Sequence, residues 1–258
     1  MTASIKEIRR ICQASRETEF YQFGWFEGNF IRKVSPYFTK LFLKIRISAN
    51  QVTFISLLVG IAAGIFLTFS STRFWIIGAL LLYLFLILDD VDGEVARYNK
   101  TASPRGAFWD TISGLFVWQF TLACASFGIY SALNEIAVLV FGFSAIVLLF
   151  LYNISTLLSY PILHEKGLLL KALADRPEKS FKGVLRYGQA VFGQGAQGLF
   201  HGILVTSLID CFLSPFAIAG FSFNFRFIYL IAYDVALLLG VMIKIYNVHR
   251  RGVKVARF

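Results

Sequence analysis

The sequence is short of charge: Asp, Glu, Lys and Arg make up only 16% of it, against 57% hydrophobic and 17% aromatic residues. A chain so poor in ionised side chains cannot clothe a water-facing surface, which excludes an ordinary soluble domain. Cysteine is scarce as well. Cys12, Cys124 and Cys211 stand far apart with no Cys-x-x-Cys pair, so neither a disulfide framework nor a zinc site is indicated. A cleavable leader is also missing: the first apolar run begins near residue 51, behind a long basic stretch. The N-terminus is therefore expected to be retained and not translocated.

What the chain has instead is six apolar runs, at about 51 to 70, 74 to 95, 107 to 133, 136 to 160, 196 to 220 and 226 to 247. Each is near the ~20 residues that ~30 Å of hydrocarbon requires. The formal charge of +10 raises nucleic acid as a partner, but the placement of the basic residues argues against it. Of 25 Lys and Arg, 23 fall in residues 1 to 49, 97 to 105, 161 to 186 and 244 onward, and only Arg73 and Arg226 fall on the opposite side. Basic loops mark the cytoplasmic side, so both termini are expected there.

Residues 1 to 49 interleave Arg32, Lys33, Lys40 and Lys44 with Phe20, Trp25, Phe38 and Phe42, the composition of a helix lying at the headgroup level, here ending near Ile45. The expected fold is an all-α integral membrane protein with six transmembrane helices and an N-terminal interfacial amphipathic helix. Its parts are an interfacial segment (1–49), a membrane domain (50–248) and a basic tail (249–258).

At the cytoplasmic end of the second run the apolar sequence stops in Asp89-Asp90-Val91-Asp92-Gly93-Glu94, four carboxylates in six residues. On a continuing helix Asp89 and Asp92 share a face. Such acids repel one another unless a cation stands between them, and hard oxygen ligands suit Mg2+ or Mn2+ shared with substrate phosphates. Gly93 and Ala96 keep this stretch small, leaving room for a nucleotide. Beyond Pro104 the third run opens at Gly106 and carries Asp110, at a depth that completes a three-acid cluster. Single acids at a membrane boundary are more often helix-ending groups than ligands; the joint spacing is what favours a site. An EF-hand is excluded, because no bidentate Glu follows at the required distance.

The pattern Asp89-x2-Asp92-Gly93-x2-Ala96-Arg97-x8-Gly106-x3-Asp110 resembles the signature of the CDP-alcohol phosphotransferases, with every spacing kept. Asn50 and Thr53 are similar to that family's lead-in to its first span. The resemblance implies a homodimeric membrane enzyme that moves a phosphoalcohol group from a CDP-linked donor, such as CDP-diacylglycerol, to an acceptor and releases CMP. Carried over by position, it implies metal ligation by Asp89, Asp92 and Asp110. It sets Asn50, Thr53, Asp89, Gly93, Ala96, Arg97 and Gly106 around the CDP moiety.

One position departs. The signature closes on an Asp four residues after Asp110, the family's metal ligand and general base, and here that residue is Gly114. Three readings stay open. The acceptor is already ionised and needs no base; or another group serves, among Asp90, Glu94, Ser113, Asp234 and Asp210, with Asp210 preferred; or the chain binds a CDP-lipid without turnover. A transporter is the reading from another class, though the acids cluster at the surface and not at the midplane. Arg105, Lys182 and Arg186 stand as candidates for an anionic acceptor or, more simply, as topology-setting positives.

Overall fold

The structure is a computed structural model that describes residues 4–13, 30–165, 196–213, 217–218, 221–222 and 224–255. Among these residues the chain is helical apart from one two-residue antiparallel ladder. The elements are α1 (Ile5–Cys12), α2 (Arg32–Lys44), α3 (Ala49–Leu67), α4 (Thr72–Tyr98), α5 (Pro104–Leu133), α6 (Ile136–Glu165), α7 (Ala196–Leu213), β1 (Ala217–Ile218), β2 (Phe221–Ser222) and α8 (Phe225–Val255). Five of them, α3, α4, α5, α6 and α8, are long and apolar enough to cross a membrane. The expected fifth span is the shorter α7, whose 18 residues reach about 27 Å. The rest of the apolar run that was expected to form it, from 214 to 220, lies largely outside the described residues.

The chain divides into two compact units, Met1–Cys124 and Ala125–Phe258. In the first, α3 packs along α4 and α1 and α2 pack on α4. The α3 seam is made of small residues: Ser56, Gly60, Ala63 and Gly64 are buried. A Cβ at Gly60 would meet both methyls of Val117 at 2.6 Å, and one at Gly64 would meet the Phe120 ring at 2.7 Å. Small residues four apart let helix backbones approach where lipid supplies no hydrophobic drive. Gly64→Val is therefore expected to destabilise the protein by about 1–3 kcal/mol through overpacking, read as a lowered melting temperature in detergent.

The N-terminal helices show how local chemistry builds a cap over this unit. Ser4 begins α1, its hydroxyl accepting the Glu7 N–H at 3.1 Å. Inside α2, Pro36 has no N–H to give the Arg32 carbonyl one turn back; Gln13 Nε2 donates to that carbonyl instead, at 2.9 Å. The α2 residues Val34, Phe38 and Phe42 then pack on Ile87, Val91 and Val95 of α4, two stripes with the same four-residue period. Tyr37, Leu41 and Ile45 remain exposed on the other face of α2, an apolar surface suited to a membrane interface. Helix α2 ends with Arg46 in the left-handed region (φ 59°), where the Ile47 N–H closes on the Phe42 carbonyl at 3.0 Å.

In the second unit α8 packs against α6 and α7. Gly202 of α7 lies against the Tyr229 ring of α8, and Ser144 of α6 donates to Asp234 Oδ1 of α8 at 3.1 Å.

Candidate active site

Helix α4 has 27 residues and reaches about 40 Å, longer than the ~30 Å of hydrocarbon. Its last turns carry the acids at the end of the apolar run. The helix closes as α2 does, with Lys100 at φ 56° and the Thr101 N–H on the Ala96 carbonyl at 2.8 Å. Ala96 thus ends the helix as well as keeping the surface small.

Three helices contribute around Asp92. Its carboxylate is buried, 4% exposed, and Thr53 of α3 donates its hydroxyl to Oδ2 at 2.6 Å. Asp110 of α5 and the neighbouring Asp90 both lie within charge range of it. Like charges gathered in a low-dielectric setting require a cation or a proton. Asp89 Oδ1 is buried too, and the three-residue step sets Asp89 on the Asp92 face of α4. Among the described residues, no three His, Cys, Asp or Glu side chains stand close enough to cage a metal ion. Asp89, Asp92 and Asp110 are thus not a closed centre. The three-acid cluster expected from the spacing is therefore not assembled in this arrangement, and hard oxygen donors of this kind would suit Mg2+ only with phosphate oxygens and water completing its shell.

The remaining expected residues fall into two groups. Asn50 and Gly106 come together: a Cβ at Gly106 would stand 3.8 Å from Asn50 Oδ1 and 3.3 Å from Ser103 Oγ, and that Ser103 hydroxyl accepts the Gly106 N–H at 3.2 Å. Gly93 and Arg97 also come together, which corrects the expectation that Gly93 leaves its backbone bare. A Cβ there would meet Arg97 Nη1 at 3.0 Å, so the guanidinium fills the space that the missing side chain opens. It sets a positive charge beside the acids.

Glu94 has a role that the sequence reading missed. It is 1% exposed. Gln13 Nε2 and Ser35 Oγ donate to its Oε1 at 2.7 and 2.9 Å, and Thr39 Oγ1 donates to Oε2 at 2.5 Å. Cys12 Sγ reaches its backbone carbonyl at 3.3 Å. The side chain pins α1 and α2 to α4, and it is not available as a base. The signal was present as Ser35-x3-Thr39, two hydroxyls one turn apart on a helix otherwise basic and aromatic.

The other candidate bases are engaged as well. Ser113 turns its hydroxyl back to the Asp110 carbonyl at 2.9 Å. Asp210, near the end of α7, is ion-paired with Arg226 Nε at 2.7 Å, both side chains largely buried. That pair explains at once an acid inside a span and a basic residue on the side that has almost none. Asp234 accepts from Ser144. Gly114 is buried, yet among the described residues a Cβ placed on it would meet only Trp118 Cζ2, at 4.0 Å. Neither packing nor backbone conformation demands glycine there. Arg105 is exposed, and Lys182 and Arg186 lie outside the described residues.

Residues 46–187 match the CDP-alcohol phosphatidyltransferase family. The match covers more than half of the 258 residues and holds Asn50, Thr53 and the acids of α4 and α5. The chain belongs to this family. Comparison with curated proteins gives no match. Membership in a CDP-alcohol phosphatidyltransferase family makes transfer of a phosphoalcohol group from a CDP-alcohol, in lipid synthesis, the activity to be tested against the geometry.

Proposed function

We propose that this CDP-alcohol phosphatidyltransferase family member is an active transferase, moving a phosphoalcohol group from a CDP-linked donor, CDP-diacylglycerol in the first instance, to an acceptor and releasing CMP. The observation that carries this reading is the hydrogen bond from Thr53 of α3 to Asp92 of α4, with Asp110 of α5 within charge range of that carboxylate. Asp89, Asp92 and Asp110 would hold Mg2+ or Mn2+. A divalent cation there supplies positive charge against the diphosphate and stabilises CMP as it leaves. The Thr53 hydroxyl fixes the Asp92 carboxylate in one orientation, so no reorganisation is needed when the diphosphate arrives. Arg97, folded over Gly93, adds a fixed cation near the same phosphates. Asn50, Ser103 and Gly106, which lie together, would add polar groups toward the CDP moiety. Asp210 is assigned a structural role, neutralising Arg226. With basic segments setting the orientation, the site faces the cytoplasm, as do both termini.

The test is CMP release by purified protein in lipid nanodiscs holding CDP-diacylglycerol, with Mg2+ or Mn2+ and then with excess EDTA. Release is expected with either metal and is expected to fall to background with EDTA. Uptake of CDP-diacylglycerol with no CMP under any condition would assign the chain a binding role instead, one of the readings that Gly114 leaves open.

A further inference from the structure

The face of α5 that carries Asp110 continues inward through Gly114, Trp118 and Thr121, at steps of four, four and three residues, so the four lie along one stripe. Two polar atoms on that stripe, Trp118 Nε1 and Thr121 Oγ1, are buried with no hydrogen-bond partner among the described residues. Thr121 is fully buried. Buried donors nearly always have a partner, and an exception points to a missing ligand or water. The Trp118 atom nearest the space at Gly114 is Cζ2, which is bonded to the ring carbon that bears Nε1. The N–H edge of the indole therefore borders the space at Gly114, where the signature that the sequence resembles closes on an Asp.

From this juxtaposition we infer that Gly114, Trp118 and Thr121 form an acceptor subsite selective for a nucleophile that arrives already ionised, a phosphate monoester. The inference rests on the proposed transfer activity and names its acceptor class. An Asp at position 114 would offer an acceptor of protons and a negative charge. Glycine with a neighbouring indole, which is a donor only, offers neither and instead receives lone pairs. An anionic oxygen fits that polarity; a neutral hydroxyl finds no group to take its proton. Thr121, one turn deeper, supplies a second polar contact to the acceptor.

The step balances without a base. A lone pair on the acceptor's phosphate oxygen forms a bond to the alcohol-bearing phosphorus of the donor. The bond from that phosphorus to the CMP oxygen breaks, and its electron pair leaves with CMP. A dianionic monoester enters, a dianionic monoester departs, and the product is a diphosphate diester with no proton transferred. Reversal of CMP release already requires the site to accept attack by a phosphate monoester, so the chemistry asked for is of the same kind.

Methyl phosphate, which has an ionisable phosphate and no hydroxyl, is the probe, with glycerol as the neutral counterpart. Binding is measured by calorimetry on full-length protein in nanodiscs, and the diphosphate product is sought by mass spectrometry. Wild type is expected to bind methyl phosphate and form the product. Trp118→Phe keeps the ring and loses the N–H, and is expected to weaken that binding about 10-fold or more. Gly114→Asp is expected to do the same by charge repulsion while improving use of glycerol. Equal methyl phosphate binding by wild type and both variants, or no binding by wild type, overturns the inference. Exchange of labelled CMP into CDP-diacylglycerol by wild type separates the two readings: its absence with methyl phosphate binding intact overturns the proposed transfer and leaves the subsite standing.

Discussion

Asp110→Ala is expected to lower metal-dependent CMP release by about 100- to 1,000-fold, the scale for removing one preorganised charged group from a centre where charge develops. The reason lies in where the acids sit. Asp92 is held from two sides, by the Thr53 hydroxyl and by its own helix, and the charge across from it on a separate helix is Asp110. Removing Asp110 relieves the repulsion, so the pocket remains folded while its affinity for a divalent cation falls. The outcome should therefore include a rightward shift of the Mn2+ titration as well as a lower maximum. Thr53→Val, which frees the Asp92 carboxylate without removing it, should cost less, about 10- to 100-fold, as for groups that orient a ligand. Asp90→Asn is the internal control. Asp90 shares the acidic run but takes the Ser35 hydroxyl at 3.3 Å, and its replacement should change release by no more than a few-fold. Equal losses from Asp90→Asn and Asp110→Ala would mean that total negative charge, not placement, matters here.

The spans and the acid spacing were legible in the sequence because both signals are local. Hydropathy reports about twenty consecutive residues at a time, and Asp89, Asp92, Gly93 and Arg97 lie within three turns of one helix. The close of α2 near Ile45 was also legible, from the end of a basic aromatic stretch. What was not legible depended on distant partners. Glu94 reads as one more interfacial acid until Gln13, Ser35 and Thr39 arrive from 55 to 81 residues away. Asp210 reads as a lone acid in a span until Arg226 meets it. The room expected over Gly93 disappears because Arg97, four residues on, folds back into it. Arg46 and Lys100 take left-handed positions that glycine would favour, and nothing in their neighbours announces it. A cation at a helix C-terminus does gain from the backbone dipole, which offsets part of the conformational cost.

Glu94→Ala should be the most destabilising single substitution in the N-terminal cap. The change removes the acceptor shared by the Gln13 amide and the Ser35 and Thr39 hydroxyls in a site only 1% open to solvent, leaving Gln13 the Arg32 carbonyl and Ser35 the Asp90 carboxylate. At about 1–3 kcal/mol for a buried donor left unsatisfied, with Thr39 the one most fully deprived, a loss of about 2–3 kcal/mol is expected. Glu94→Gln keeps the shape and one acceptor, and should cost less. The consequence is local before it is global: α1 and α2 come away from α4. Cys12 reports that release. Burial, and then the nearby Glu94 carboxylate, push its thiol up to about 11, so at neutral pH almost none of it is thiolate and it should resist N-ethylmaleimide. Freed from the cap, it returns toward the ordinary value of 9.0, and labelling should accelerate about 100-fold, since the thiolate fraction scales with that two-unit change. Mass spectrometry resolves Cys12 from Cys124, also buried, and from the exposed Cys211. Because Asp92 stands two residues from Glu94 on the same helix, loss of the cap should also reach CMP release. Fast Cys12 labelling with full activity would show instead that α1 and α2 are dispensable to the site they cover.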